Sequence, residues 1–496
     1  MQTLLTSSQM RLADAFTIAN EPISSISLME RAVQAFVANF IKEVIDLNEQ
    51  IAVFCGKGNN GGDGLGIARV LINCGYCNVK AYIVNFGDKQ SDDFSENLKQ
   101  LEQTGCDIIT ISHATDANGV MADTVIDAIL GSGLNKPLTG EYAALIEIMN
   151  AFPARIYAVD VPTGFPSEGI IVKNYNGIEA FKTICFQRPK INFFFPESAA
   201  ATERYEVVNI GLNEAFIESQ DSDIHLLEDQ DIRKILKPRK NFSHKGIYGH
   251  ALIIAGSTNT MGAAILSSMA CLNAGAGLTT ACIPNSGLVT LNSVLPEVMA
   301  LPRDEYTRIE NTSKYHSIAI GCGLGISSEN AKLLESLIAA RQPLVIDADA
   351  LNILGENPEL IKQLPQHSIL TPHMKEFDRL FGFHQEWWSR VQTAKAKAKE
   401  LQIVIVLKNQ YTFICAPDGS IFINPTGNPA MAQGGMGDVL TGVIAAFVAQ
   451  NYTSVEAAIL ACYVHGKSGD VLASEHFVIS ATKLAENVSR TIRHLL

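Results

Sequence analysis

Gly434, Gly435 and Gly437 fall within four positions and run straight into Asp438, ahead of an apolar stretch at 439–448. A glycine-rich turn that opens a helix leaves backbone N–H groups unpaired beside the positive end of the helix dipole. That setting suits an anion such as a phosphate in transfer. A carboxylate there can take a proton from an attacking hydroxyl. Helix capping by Asp438 is the plain alternative. A cap, however, requires neither the glycines nor the upstream run of Asn424, Pro425, Thr426, Gly427, Asn428 and Pro429.

A second glycine-rich run, from Gly56 to Gly64, follows an apolar stretch at 51–55 and carries Asn59, Asn60, Gly61, Gly62 and Asp63. It matches Gly-x-Gly-x-x-Gly at Gly56, Gly58 and Gly61. The next apolar stretch, however, ends in Val84 and Asn85, without the acid that would hold a ribose. This segment also lacks the Gly-Lys-Ser/Thr of a P-loop. Two further stretches end in matching groups. Asp127 precedes Gly131, Ser132, Gly133, Leu134, Asn135, Lys136 and Pro137, and Asp160 precedes Thr163 and Gly164. In an open α/β sheet, residues at the carboxyl ends of strands converge on one crevice. Oxygen groups of this kind could surround a hard cation and hold a phosphorylated substrate. Each motif alone also reads as a turn, since Asn, Asp and Gly are turn formers. Three at successive strand ends favour function.

The last third of the chain repeats the logic with other residues. Gly321, Gly323 and Gly325 permit close backbone approach, Asp347 and Asp349 supply carboxylates, and His373 and Glu376 follow another strand-like run.

These residues need a scaffold, and the apolar pattern supplies one. Short apolar runs at 51–55, 79–84, 125–129 and 156–161 alternate with helical stretches. A second set follows at 251–255, 279–283, 317–320, 344–347, 369–371 and 403–407. Continuous apolar strands separated by helices imply parallel sheets covered on both faces. Ser27 and Glu30 read as a capping box before a helix carrying Val33, Phe36, Val37, Phe40, Ile41 and Val44. Between the two sets, residues 212–246 shift from acidic to basic, with Pro238 inside, and predict a domain boundary and a solvated linker.

Composition narrows the rest. With 47% hydrophobic against 18% charged residues in 496, the chain is globular, and two or three domains are expected. A net charge of −13 opposes binding to nucleic acid or an anionic membrane. No secretory signal or membrane span is expected, and ten scattered cysteines fit reduced thiols in a cytoplasmic protein. Cys74 and Cys77 form a lone Cys-x-x-Cys, read as structural.

The segments around Gly56, Asp127 and Asp160 resemble the NAD(P)H-hydrate epimerase domain, the YjeF N-terminal family. Those around Gly321, Asp347, His373 and Asp438 resemble the ADP/ATP-dependent NAD(P)H-hydrate dehydratase domain, a relative of ribokinase-like kinases. The likeness implies two tandem α/β/α domains, a Rossmann-like parallel sheet over 1–217 and a ribokinase-like sheet over 223–496. It implies that Asn59, Asn60, Gly61, Gly62 and Asp63, the loop 131–137 and Asp160 contact hydrated NADH or NADPH, and that Asn60, Asp127 and Thr163 ligate K⁺. It further implies that Ala263, Gly323, His373 and Asp438 contact the hydrate in the second domain. Lys408, Asn409, Gln410, Tyr411 and Thr412, with Gly434, Gly435 and Gly437, would hold ADP or ATP with Mg²⁺. Met374 and Lys375 stand where the family has Pro and Gly, Cys322 where it has Pro, and Ala430 and Gln433 where it has Gly and Thr.

On this likeness the expected activity is repair of hydrated NAD(P)H. Asp438 is the catalytic base of an ADP- or ATP-dependent dehydration of the S form. Asp160, with Lys136 nearby, interconverts R and S forms. A homo-oligomer is expected. Two other readings stand beside it: a small-molecule kinase, which shares the Gly-x-Gly-Asp helix, and a non-catalytic nucleotide sensor.

Overall fold

Strands form where the apolar runs are continuous, because both faces of each sheet are covered. The computed structural model describes residues 1–496 other than 134, 135, 304–308 and 310, so Leu134 and Asn135 lie outside the described residues. Contacts divide the chain into two units. One holds Thr3–Ser222 and Glu386–Trp388, the other Met1–Gln2, Asp223–Gln385 and Ser389–Leu496.

In the first unit the strands are β1 (Gln50–Cys55), β2 (Asn78–Val84), β3 (Asp107–Ile111), β4 (Thr124–Ala128), β5 (Arg155–Val159), β6 (Lys182–Phe186) and β7 (Tyr205–Val208). They lie in the order β3-β2-β1-β4-β5-β6-β7, every neighbouring pair parallel. The direction of winding reverses between β1 and β4, which opens a crevice at their carboxyl ends. Gly56 and Asp127 sit at those ends. The helix Ser25–Phe40 buries Val33, Phe36, Val37 and Phe40, as its spacing predicts. Its cap differs from expectation: Ser24 accepts from the Ser27 N–H, so the helix starts a turn before the expected box. Three serines in four positions can each cap, and the buried face, not the motif, selects the start.

The second unit continues with β8 (Ile224–Leu226), β9 (His250–Ile254), β10 (Leu278–Ile283), β11 (Met299–Pro302), β12 (Ser317–Ile320), β13 (Leu344–Ile346), β14 (Ile369–Leu370), β15 (Val404–Leu407), β16 (Thr412–Cys415) and β17 (Ile421–Asn424). They run β8-β17-β16-β15-β14-β13-β12-β9-β10-β11, with β16 antiparallel to both neighbours and the remaining pairs parallel. The predicted linker 212–246 is partly structured: it holds the helices Glu214–Glu218 and Asp229–Ile235 as well as β8. Its basic residues do not form one open patch, since Lys237 lies over Tyr452 and Arg239 over Tyr248.

The helix Met436–Ala449 is apolar nearly all round and correspondingly buried. A Cβ on Gly442 would come within 2.0 Å of the Ser267 carbonyl, so this glycine lets the helix pack closely on Met261–Asn273. No helix among the described residues is long and apolar enough to cross a membrane. All ten cysteines are free, and Cys74 and Cys77 are exposed.

Candidate active sites

In the first unit, β1 runs through Gly56 into the helix Asn59–Asn73, whose N-cap, Gly58, offers no side chain to the first turn. A Cβ on Gly56 would lie 2.0 Å from the Ile129 carbonyl, and one on Gly61 would lie 1.6 Å from the Gly56 carbonyl. The loop therefore closes only with glycine at both positions. Asn59, Asn60, Gly61, Gly62 and Asp63 all fall in the first turns of this helix.

Asp127, at the end of β4, is fully buried. Its carboxylate accepts from the Thr163 N–H and Oγ1, both at 2.7 Å, and from the Ile129 N–H at 3.2 Å. Burial pushes its pKa up to about 6 against those three bonds. Asn60 packs against Gly131, and its buried amide nitrogen has no partner among the described residues.

Asp160, just past β5, has φ of 64°, uncommon for a residue with a side chain. Its carboxylate pairs with Lys190 Nζ at 2.7 Å. The sequence reading set Lys136 beside Asp160; the buried cation found there is Lys190. Lys136 lines a cavity of about 400 Å³ with Ser132, Gly133, Pro137 and Arg11. Around Asp160 two more acids are shifted. Burial and the charge of Asp160 push Asp63 well above the usual range and Asp14 up to about 6. Neither Asp14 nor Lys190 belongs to a motif, and only the folded chain brings them in.

In the second unit, Gly435 (φ 91°) is the N-cap of the helix Met436–Ala449, which places Asp438 in its first turn instead of at the cap. Burial pushes Asp438 up to about 6; the Cys322 thiol, which donates to it, works the other way. Asp347, at the end of β13, is buried and accepts from Lys408 Nζ at 2.8 Å and Thr441 Oγ1 at 2.7 Å. Burial opposes the Lys408 charge, but Asp347 and Glu376 outweigh it and hold the ammonium above its ordinary range. A Cβ on Gly437 would sit 3.5 Å from Lys408 Nζ, so the ammonium faces the glycine turn.

His373 caps the helix Met374–Phe381. Its Nδ1 accepts from the N–H groups of Lys375 and Glu376 at 3.1 and 3.2 Å. Glu376 returns the bond, accepting from the His373 N–H at 2.9 Å. An accepting Nδ1 leaves the proton of the neutral ring on Nε2, on a half-exposed side chain. Gly323 (φ 59°) lies against Ala263: a Cβ there would be 2.9 Å from the Ala263 Cβ.

Lys408, Asn409, Gln410, Thr412 and Gly437 line one cavity of about 430 Å³, which Tyr411, Gly434 and Gly435 do not. Thr426 and His465 also stand in its wall. His465 is held neutral, its pKa lowered to about 4 by burial, with Nε2 3.0 Å from the Met436 carbonyl oxygen. A histidine midway along Ser454–Ala473 carries no local signal of this role.

Two parallel-sheet units, each with glycine turns and carboxylates at strand ends around a crevice, define an α/β enzyme acting on nucleotides. The family described as YjeF-related protein N-terminus matches residues 25–192, and the family described as NAD(P)H-hydrate dehydratase matches residues 251–492. The bifunctional NAD(P)H-hydrate repair enzyme of Moorella thermoacetica is 36% identical over 95% of this chain and 93% of its own. That of Escherichia coli is 32% identical over 85% and 80%. Among solved structures, the ADP/ATP-dependent NAD(P)H-hydrate dehydratase of Bacillus subtilis, crystallised with ATP and Mg²⁺, aligns at 32% identity. It covers 55% of this chain and 99% of its own, with a TM-score of 0.50. A ribokinase-like superfamily protein from Enterococcus faecalis aligns at 29% identity over 55% and 96%, also with a TM-score of 0.50. The chain belongs to the family of bifunctional NAD(P)H-hydrate repair enzymes.

Proposed function

We propose that the second unit dehydrates the S form of hydrated NADH or NADPH with ADP or ATP, and that the first unit interconverts the R and S forms. The observation that carries the reading is Asp438, a partly buried carboxyl in the first turn of a glycine-capped helix, its pKa pushed up to about 6 by burial.

Hydroxide is a poor leaving group, so the ring hydroxyl is first phosphorylated. Asp438 takes the hydroxyl proton as its oxygen attacks the terminal phosphorus, and AMP or ADP leaves. The N–H groups over 434–437 and the Lys408 ammonium receive the charge that develops. Phosphate then departs with the C–O bond, the ring nitrogen supplies its electron pair, and loss of the neighbouring carbon's proton restores the dihydropyridine. Lys408–Thr412 and Gly437 hold the adenine nucleotide, while Ala263, Gly323, His373 and Asp438 hold the hydrate. His373 Nε2–H is placed to donate. Asp347 is spent on Lys408 and Thr441, so Mg²⁺ fits here mainly as an ion carried by the nucleotide phosphates. Such an ion would neutralise phosphate charge.

In the first unit the hydrate lies against Asn59–Asp63, the loop 131–137 and Asp160. Asp160 protonates the departing oxygen, the ring passes through an iminium, and water returns to the other face. A K⁺ ion fits Asn60, Asp127 and Thr163. Asp127 is a fully buried carboxylate with about one of its four lone-pair sites left, and a cation offsets the cost of its burial. Such an ion would order the loop that holds the substrate. The ten free thiols support work in the reducing cytoplasm.

The test is spectroscopic. Purified chain with S-hydrate, Mg²⁺ and ADP or ATP should restore dihydronicotinamide absorbance and release inorganic phosphate. A stable phosphorylated product without that absorbance would assign a kinase instead.

A further inference from the structure

Asp160 is held in an unsymmetrical way. Its Oδ1 lies 2.7 Å from Lys190 Nζ and accepts from the Phe186 N–H at 3.1 Å, with the Cys185 sulfur at 3.8 Å. No described residue bonds its Oδ2. The backbone is fixed as tightly, since the Asp160 N–H donates to the Ile184 carbonyl at 2.9 Å while φ is 64°. One carboxylate oxygen is tied down, and the other is left for something the chain does not supply.

Lys190 is buried, its side chain 6% exposed. Burying an ammonium is expensive unless it is paired. The pairing wins here, for Asp160 holds Lys190 above its ordinary range against burial. The groups facing Asp160 are Lys190, the Cys185 thiol and two more acids, Asp63 and Asp14. Lys190 is thus the cation set among three carboxylates. Residues held in a disfavoured backbone conformation cluster at functional sites, and here the strained residue is also the one that the buried cation holds.

We propose that Lys190 is a positioning residue for epimerisation, clamping Asp160 Oδ1 so that Oδ2 alone meets the hydrated ring. The proposal rests on the reading of Asp160 as the acid and base of the first unit. Lys190 touches no reacting atom; its work is to fix the rotamer from which Asp160 gives and takes the proton.

The experiment uses the full chain and R-hydrate, with epimerisation followed after rapid removal of the S form by excess dehydratase, ADP and Mg²⁺. Lys190→Met is expected to lower the epimerisation kcat about 100-fold. KM should stay within about threefold, because a rotamer clamp acts on the transition state and not on ground-state binding. Lys190→Arg should recover at least about tenfold of that kcat, since it keeps the cation. Dehydration of S-hydrate by the same preparations should be unchanged. A kcat for Lys190→Met within about threefold of the parent, or a loss carried wholly by KM, overturns the assignment. If Lys190→Met does not fold, Lys190→Gln takes its place under the same two outcomes. Asp160→Asn separates the two ideas. If it stays active, the reading of Asp160 falls; if it is dead beside a fully active Lys190→Met, only the part given to Lys190 falls.

Discussion

Lys408 Nζ lies 2.8 Å from Asp347 Oδ1, and Thr441 donates to the other oxygen at 2.7 Å. One buried carboxylate thereby joins the end of β13, the end of β15 and the helix that carries Asp438. The ammonium it steadies sits against Gly437, where a transferring phosphate would lie.

Removing one partner of such a pair leaves an uncompensated buried charge. Lys408→Met is expected to destabilise the second unit by about 3–5 kcal/mol. Urea unfolding monitored on that unit checks this, and phosphate release should fall with it. A midpoint unchanged from the parent would show that the pair is dispensable.

With Asp438 as the proposed base, dehydration should follow its ionisation. Its pKa is raised from 3.8 to about 6 by burial, so the fold prefers the protonated form. The associated stability is fully present below pH 3.8 and is gone once pH has risen past about 6. A base works only when ionised, so kcat/KM should rise with pH and reach half its plateau near pH 6. A rate that stays flat down to pH 4.5 would take the proton from some other group. Asp438→Asn should keep nucleotide binding and lose phosphate release by about 100-fold or more.

Gly61→Ala should silence epimerisation without touching dehydration. The added methyl would meet the Gly56 carbonyl at 1.6 Å and force the loop open. Displacing a substrate loop by about 1 Å costs about 100-fold in rate. R-hydrate conversion and S-hydrate dehydration, measured on the same preparation, distinguish a local effect from general loss of fold.

If K⁺ is held at Asp127 as proposed, epimerisation should depend on it. Exchange of K⁺ for tetramethylammonium should slow R-to-S conversion several-fold and leave the second reaction untouched. Asp127→Asn should remove that response. Equal rates in both salts would leave Asp127 and Thr163 with a purely structural bond.

Much of this was open to inspection in the chain. The runs at 51–55 and 317–320 become β1 and β12 within a residue, because strands buried on both faces leave an unbroken apolar record. Gly56, Asp127 and Asp347 were legible for a related reason: glycines and acids have no business ending an apolar run unless the backbone turns there or a ligand approaches, and Asp438 stood out by the three glycines ahead of it. Lys190, Asp14 and His465 were not. Their roles arise from burial beside residues distant in the chain, and a lone lysine or histidine bears no mark of that. The stretch 212–246 misled because its elements are two short helices and a three-residue strand among charged residues, which composition alone cannot tell from a linker. The serine cap slipped by one turn because neighbouring serines compete on equal terms.

The left-handed backbone at Asp160 carries a cost of about 1 kcal/mol for any residue with a Cβ, and Gly would be free of it. Replacing the aspartate by glycine would release that strain but leave the Lys190 ammonium buried without its partner, a loss of about 3–5 kcal/mol that outweighs the gain. A copy silenced in this way would accumulate less than a working one, so protein levels in a cell would fall together with the turnover of damaged cofactor.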